Sequence, residues 1–228
     1  MGKRIFALFA GLVIAMQAAA AGLESISSQD ATSGLREALV TGAQYAVDSL
    51  GRTDGFFGNS KVKIPLPESA RKVEKVLRQF GLGKQADELI LTINRAAEAA
   101  MPEAKALLVD SVRKMSVQDA KGILTGGQDS ATQYFRRTTS DQLRARFLPI
   151  VQKATAKVQL AQKYDDYAGK AAQFGLVKKE DAHLDAYVTQ KAMDGLFVMV
   201  AEQEAKIRQN PAEAASAILK RVFGALKP

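Results

Sequence analysis

The one histidine of the chain, His183, stands three residues after Glu180, a carboxylate and imidazole spacing that helical di-iron sites use twice. A second such pair is impossible with one histidine, so the sequence predicts a surface histidine in a helix's first turn rather than a metal ligand. There is no cysteine, which excludes thiol catalysis, disulfides and thiolate metal sites. No G-x-S-x-G, H-E-x-x-H, G-x-x-x-x-G-K or calcium loop occurs, and each of those patterns is how a nucleophile, a zinc, a phosphate or a calcium ion is usually held. No catalytic residue, metal or cofactor is therefore predicted. Carboxylates can still do acid and base chemistry by themselves, which keeps an enzyme using Glu98 or Asp119 beside an arginine as the rival to a binding protein.

Several clusters carry the remaining chemistry. In LTINRAAEAAMPEAK, Asn94, Arg95 and Glu98 stand among alanines, and Arg95 can meet Glu98 at i,i+3. That pair is either a solvent-facing ion pair or, inside a bundle, a fixed carboxylate able to serve a ligand. In QYFRRTTSDQLRARF, Tyr134, Arg136, Arg137, Arg144 and Arg146 flank a cap-like Thr-Thr-Ser. Arginines beside a helix N-terminus suit negative oxygens, because guanidinium forks and free backbone N–H groups both favour them; the alternative is a solvated charged face. Asp194, within the apolar AMDGLFVMVA, is expected on that helix's polar edge and paired with Lys191. Arg71, Lys75 and Arg78 lie opposite Val73, Val76, Leu77 and Phe80, a basic amphipathic pattern that either docks on a partner or packs into its own core. The stretch TDGFFGNSKVKIPLPE sets Phe56 and Phe57 between Gly55 and Gly58. Two adjacent phenylalanines cannot enter one core unless the chain turns sharply, so they form either a plug at the end of a bundle or a wall for an apolar ligand. Phe56, Phe57, Asn59, Arg95, Glu98, Tyr134, Arg136, Arg137 and Arg144 are the candidate ligand contacts.

The elements that must position these residues are helices. Leu35, Leu39, Ala43, Ala46 and Leu50 recur at three and four up to Gly51, the spacing of one helical face with a glycine stop. A second helix starts behind Pro67, and a third pattern runs from about 85 to 115 with Leu89, Ile93, Ala97, Ala100, Ala104, Leu108 and Met115 on one side. Pro102 implies a kink or break there. Ser116 to Asp119 reads as a capping box with Asp in place of the usual Glu or Gln. Helices over 129–137 and 140–157, the latter bent at Pro149, are followed by one over 164–174, a long central one over 181–209 and a last one behind Asn210-Pro211. No internal repeat or low-complexity linker divides the chain. The prediction is an all-α, single-domain multi-helix bundle over 22–228, with one short extended segment at 61–66 where Val62 and Ile64 alternate with lysines.

MGKRIFALFAGLVIAMQAAAAG, at the N-terminus, has two basic residues, a short apolar run and an alanine-rich cleavage site, so residues 1–21 read as a secretory signal and the protein as periplasmic or otherwise exported, with no transmembrane segment in the mature chain. The remaining chain has 30 basic and 24 acidic residues. Residues 61–84 hold seven basic and two acidic side chains, and 136–157 six and one. Charge gathered in two windows points to an anionic partner: lipid, glycan or envelope protein in that compartment, and not nucleic acid. A structural or assembly role in the envelope is the third reading.

Taken in order, GFFGNSKVKIPLPE, RKVEKVLRQFGLGKQADEL, NRAAEAAMPEAK, DAKGILTGGQDSATQYFRRTT, FLPIV, DAYVTQKAMDGLFVMVAEQEAKIRQNP and KRVFG resemble the exported bacterial family known as domain of unknown function 4197, over about 34–224. The resemblance implies a helical protein behind a signal peptide. It implies no activity and offers no catalytic residues. AEAASAIL after IRQNP departs from the arginine and threonines expected there, which leaves the last helix's polar face without a role.

Overall fold

The computed structural model describes residues 28–79, 83–158 and 182–210, together with 161, 162, 164, 165, 168 and 173. The helices whose bounds fall among the described residues are α1 (Ser28–Gly51), α2 (Glu68–Gln79), α3 (Gly83–Ala100), α4 (Pro102–Lys114), α5 (Val117–Thr125), α6 (Ser130–Thr155) and α7 (Leu184–Gln209). They pack on one another as a single all-helical domain, and no strand occurs among the described residues. No helix among them is long and apolar enough to cross a membrane. The signal-like residues 1–21, the helix expected behind Pro211, and the side chains of Val73, Lys75, Val76, Leu77 and Phe80 lie outside the described set; of the helix expected over 164–174, residues 164, 165, 168 and 173 are described and are helical.

Periodicity places the core. Leu35, Leu39, Ala43, Ala46 and Leu50 are all buried, and α1 stops at Gly51. The third pattern is split by Pro102, which takes the first position of α4 while Met101 is buried at the break. A proline has no N–H to spend and fits a first helical turn, so α3 ends and α4 begins without a loop. The alanines at 96, 97, 100 and 104 are buried, and their small side chains let neighbouring backbones come close. Arg36 donates from Nη2 to the Met115 carbonyl at 2.6 Å, and Lys105 lies 3.8 Å from Asp48, so α1 and α4 run antiparallel.

One expectation fails in an instructive way. The two helices predicted over 129–137 and 140–157 are a single 26-residue helix, α6. Thr138, Thr139 and Ser140 do not cap a new start: their hydroxyls donate to the carbonyls of Tyr134 (2.8 Å), Phe135 (2.7 Å) and Arg136 (2.6 Å), four residues back. Hydroxyl side chains offer the backbone either a cap or this back-bond, and burial of Thr139 in the packed helix face selects the second. Pro149 lies inside α6 without ending it. Antiparallel to α6 runs α7, as the pairs Thr132 with Glu204, Arg144 with Gln190 and Gln152 with Asp185 show. Packed against α1, α3 and α6, α7 is the central helix that AMDGLFVMVA suggests.

The extended segment expected over 61–66 is shorter than that: Lys61 and Val62 belong to a turn, in which Val62 N and Lys63 N donate to the Asn59 carbonyl at 3.1 and 2.8 Å, and the chain runs on through 63–66 without a strand partner. Val62, Ile64 and Leu66 are buried, while Lys61, Lys63 and Pro65 are exposed, the two-residue alternation of a chain with one face inward.

Candidate functional site

The segment from 52 to 67 crosses from the end of α1 to α2 between α3 and α7. It begins with a fold-back. Asp54 takes a positive φ of 64°, and Gly55 comes so close to the Leu50 carbonyl that a Cβ there would collide with it. This turn separates the two phenylalanines. Phe56 is completely buried, and its ring lies over Gly195 of α7, where an added Cβ would stand 2.6 Å from Cε1. Glycine inside a helix costs about 1 kcal/mol relative to alanine; here the missing methyl leaves the space that the ring fills.

The backbone N–H groups of this turn that have no partner within it are satisfied by α3. Phe56 N and Phe57 N both donate to Glu98 Oε1, at 3.0 and 3.1 Å. The Glu98 side chain is 5 % exposed, and its other oxygen accepts from Arg95 Nη1 at 2.6 Å. Arg95 then reaches Asp54 Oδ1 from Nη2 at 2.7 Å, and the Glu98 and Asp54 carboxylates together raise the guanidinium above its already high ordinary pKa. One turn earlier, buried Asn94 accepts from Ile64 N and donates to the Ile64 carbonyl, both at 2.8 Å. Its amide thereby replaces the strand partner that the extended segment lacks, as buried backbone groups require. Of the Arg95–Glu98 pair, the carboxylate is buried in the bundle and holds the loop, while the guanidinium lies at the surface and joins Glu98 to Asp54.

Phe57, half-buried, lies on the loop's outer side with Lys63 Nζ 4.1 Å and the Arg95 guanidinium 5.7 Å from its ring centroid. Asn59 accepts from Lys61 N at 3.1 Å and faces Met199 Sδ at 3.9 Å. Lys61 pairs with Glu202 at 2.6 Å. Phe56, Phe57, Asn59, Arg95 and Glu98 therefore meet in one place. Phe56 is the plug, and Phe57 is the face it leaves outside.

Tyr134, Arg136, Arg137 and Arg144 do not converge on one point, although the Arg137 guanidinium lies 5.6 Å from the Tyr134 ring centroid. Tyr134 is buried and donates to the Ser111 carbonyl at 2.7 Å. Arg136 stacks 4.5 Å over the Phe197 ring and stands 3.7 Å from Asp194. Arg137 turns the other way, to Asp119 of α5 at 2.9 Å, and Arg144 donates to Gln190 at 2.6 Å. Since α6 is unbroken, Thr138, Thr139 and Ser140 open no helix beside them; the helix start that Arg137 does reach, that of α5, is already closed by the reciprocal cap of Ser116 and Asp119. Asp194 accepts from Gln190 at 3.0 Å and does not pair with Lys191, whose ammonium sits 5.7 Å from the Tyr187 ring. His183, exposed, occupies the position before α7 rather than its first turn; Glu180 lies outside the described residues.

Sequence reasoning missed a second buried acid. Glu204 accepts from Ala131 N, Thr132 N and Thr132 Oγ1 at 3.0, 3.0 and 2.9 Å, and from Arg208 Nη2 at 2.9 Å. Arg208 continues to the Ile123 carbonyl at 2.8 Å, so one acid and its arginine close the start of α6 and the end of α5. The i,i+4 spacing of Glu204 and Arg208 was the available signal, although nothing local says that it is buried. A cleft beside them, lined by Leu35, Leu39, Phe135, Val200, Gln203 and Ile207, has about 20 Å³ of space, room for roughly one water. Glu98 and Asp119 line no part of it. Among the described residues no group of three or more His, Asp or Glu side chains is placed to hold a metal ion.

No curated protein and no solved structure shows significant similarity to the chain. A family model described as "Protein of unknown function (DUF4197)" matches residues 25–224, a span containing the loop, Asn94, Arg95, Glu98, Gly195, Glu204 and Arg208, and on that match the chain belongs to the DUF4197 family.

Proposed function

We propose that this is an exported, periplasmic protein that binds an anionic or amphiphilic envelope component, whether lipid, glycan or protein, without transforming it, and that it does so with the outer face of the 53–67 loop. The observation that carries the reading is Phe57, a half-buried ring under the Lys63 ammonium at 4.1 Å. An aromatic surface beside a cation matches a ligand with a negative head and an apolar body. Lys61 and Lys63 share the loop's exposed side, and Glu98 and Asn94 fix the backbone beneath them, which lowers the ordering cost of binding. Export is supported by the basic, apolar and alanine-rich order of residues 1–21. The carboxylate-enzyme reading draws less support. Glu98 spends both oxygens on the loop and Arg95, and Asp119 is engaged in a helix cap on another helix.

Calorimetry with dodecyl phosphate below its micelle concentration tests the loop. Binding that weakens with added salt, and that falls about fivefold in each of Phe57→Ala and Lys63→Gln, is the expected result. No binding, or binding unchanged in both variants, rejects it.

A further inference from the structure

The second basic window divides in two. Arg136, Arg137 and Arg144 are engaged with α5 and α7, whereas Arg146, Lys153 and Lys157 are exposed and form no ion pair among the described residues. At about 100° per residue, Arg146, Ile150, Lys153 and Lys157 fall within roughly 60° of one another around α6. Ala156 keeps helical dihedrals of −57° and −21°, which carries the turn on to Lys157. Pro149 is exposed and Ile150 half-buried between the cations. Asp141, the one acid in α6, lies about 140° round the helix from Arg146. The result is a ridge of three cations on one face of α6 with an apolar step in its middle and no acid of α6 on it.

From this arrangement we infer that the C-terminal half of α6 is a docking ridge for the surface of an anionic phospholipid bilayer. Its length decides against a small anion: Arg146 and Lys157 are separated by roughly 16 Å of helical rise, too far to close on one phosphate, but suited to several headgroups in a plane. Exposed Pro149 and half-buried Ile150 between the cations suit the boundary of headgroups and acyl chains, where a cationic and apolar helix face settles. The inference rests on the reading that the partner is anionic, and it is independent of the 53–67 loop.

Co-sedimentation of the 228-residue protein with vesicles of phosphatidylglycerol and phosphatidylcholine tests it, with phosphatidylcholine alone as the reference. Binding to the anionic vesicles should fall on the order of 100-fold in the triple variant Arg146→Gln, Lys153→Gln, Lys157→Gln, at about fivefold per cation, while its thermal unfolding stays at the unsubstituted value and Lys63→Gln keeps most of the binding. Equal binding by the triple variant overturns the ridge, and if Lys63→Gln then fails to bind, the loop reading survives alone. Equal binding to neutral vesicles overturns it as well. A protein that ignores both vesicles but is held by heparin through the same three residues assigns the ridge to a polyanionic glycan and overturns the bilayer.

Discussion

Gly195 and Phe56 are 139 positions apart in the chain and form one contact. With a methyl added, the Phe56 ring must move, because Cε1 would lie 2.6 Å and Cζ 3.1 Å from it. Two effects oppose each other in Gly195→Ala: helix propensity gains about 1 kcal/mol, and overpacking costs about 1–3 kcal/mol. Phe56 is fully buried and its backbone is tethered to Glu98, so the ring has little room to yield and the loss should win. Urea denaturation should show a net destabilisation of about 1–2 kcal/mol, with part of the cost relieved when Phe56→Leu is added. Strict additivity of the two changes would mean that the residues do not interact.

Among the elements, α5 is a nine-residue helix whose start is set by a reciprocal cap. Ser116 Oγ accepts from Asp119 N at 3.0 Å, and Asp119 Oδ2 accepts from Ser116 N at 3.1 Å and from Ser116 Oγ at 2.6 Å. The shorter Asp side chain closes the box that Glu or Gln usually closes. Its pKa is held below the ordinary carboxylate value, chiefly by the Ser116 hydroxyl, then by the Ser116 backbone N–H and Arg137. A depressed folded-state pKa stabilises above the unfolded value of about 4 and loses that contribution as pH falls through the folded value. The stability difference between the wild type and Asp119→Asn should therefore be full at neutral pH, about 1 kcal/mol, and should shrink as pH falls below 4 in urea titrations. A difference that is constant from pH 7 to the acid end would separate the cap from the charge.

At the scale of the whole molecule, two buried glutamates tie together parts that local sequence leaves independent. Glu98 fastens the α1–α2 connection to α3, and Glu204 fastens the α5–α6 corner to α7. Removing a buried acid strands both its N–H donors and its arginine; Glu204→Ala should cost about 3–5 kcal/mol, read from denaturant midpoints, with Glu204→Gln costing distinctly less. A loss near zero would show that water replaces the carboxylate at the α6 start. Because α7 contacts α1, α3 and α6, the loss should appear in a single transition rather than in a separate early step.

Local rules were enough for the helical class, the core faces of α1, α3 and α4, the break at Pro102 and the cap at Ser116, since each follows from spacing within a few residues or from the chemistry of one side chain. They were enough to single out Phe56, Phe57, Arg95 and Glu98 as unusual. They could not say that Glu98 serves the Phe56–Phe57 backbone, that Asn94 stands in for a strand, or that Gly195 makes room for a ring, because those partners are brought together only by packing. The Thr-Thr-Ser of α6 failed for a related reason: a hydroxyl bonds its own helix or caps the next with similar ease, and burial of Thr139 against neighbouring helices made the choice. Which cations face outward was settled in the same way, since a charge's partner is a matter of where another helix lies.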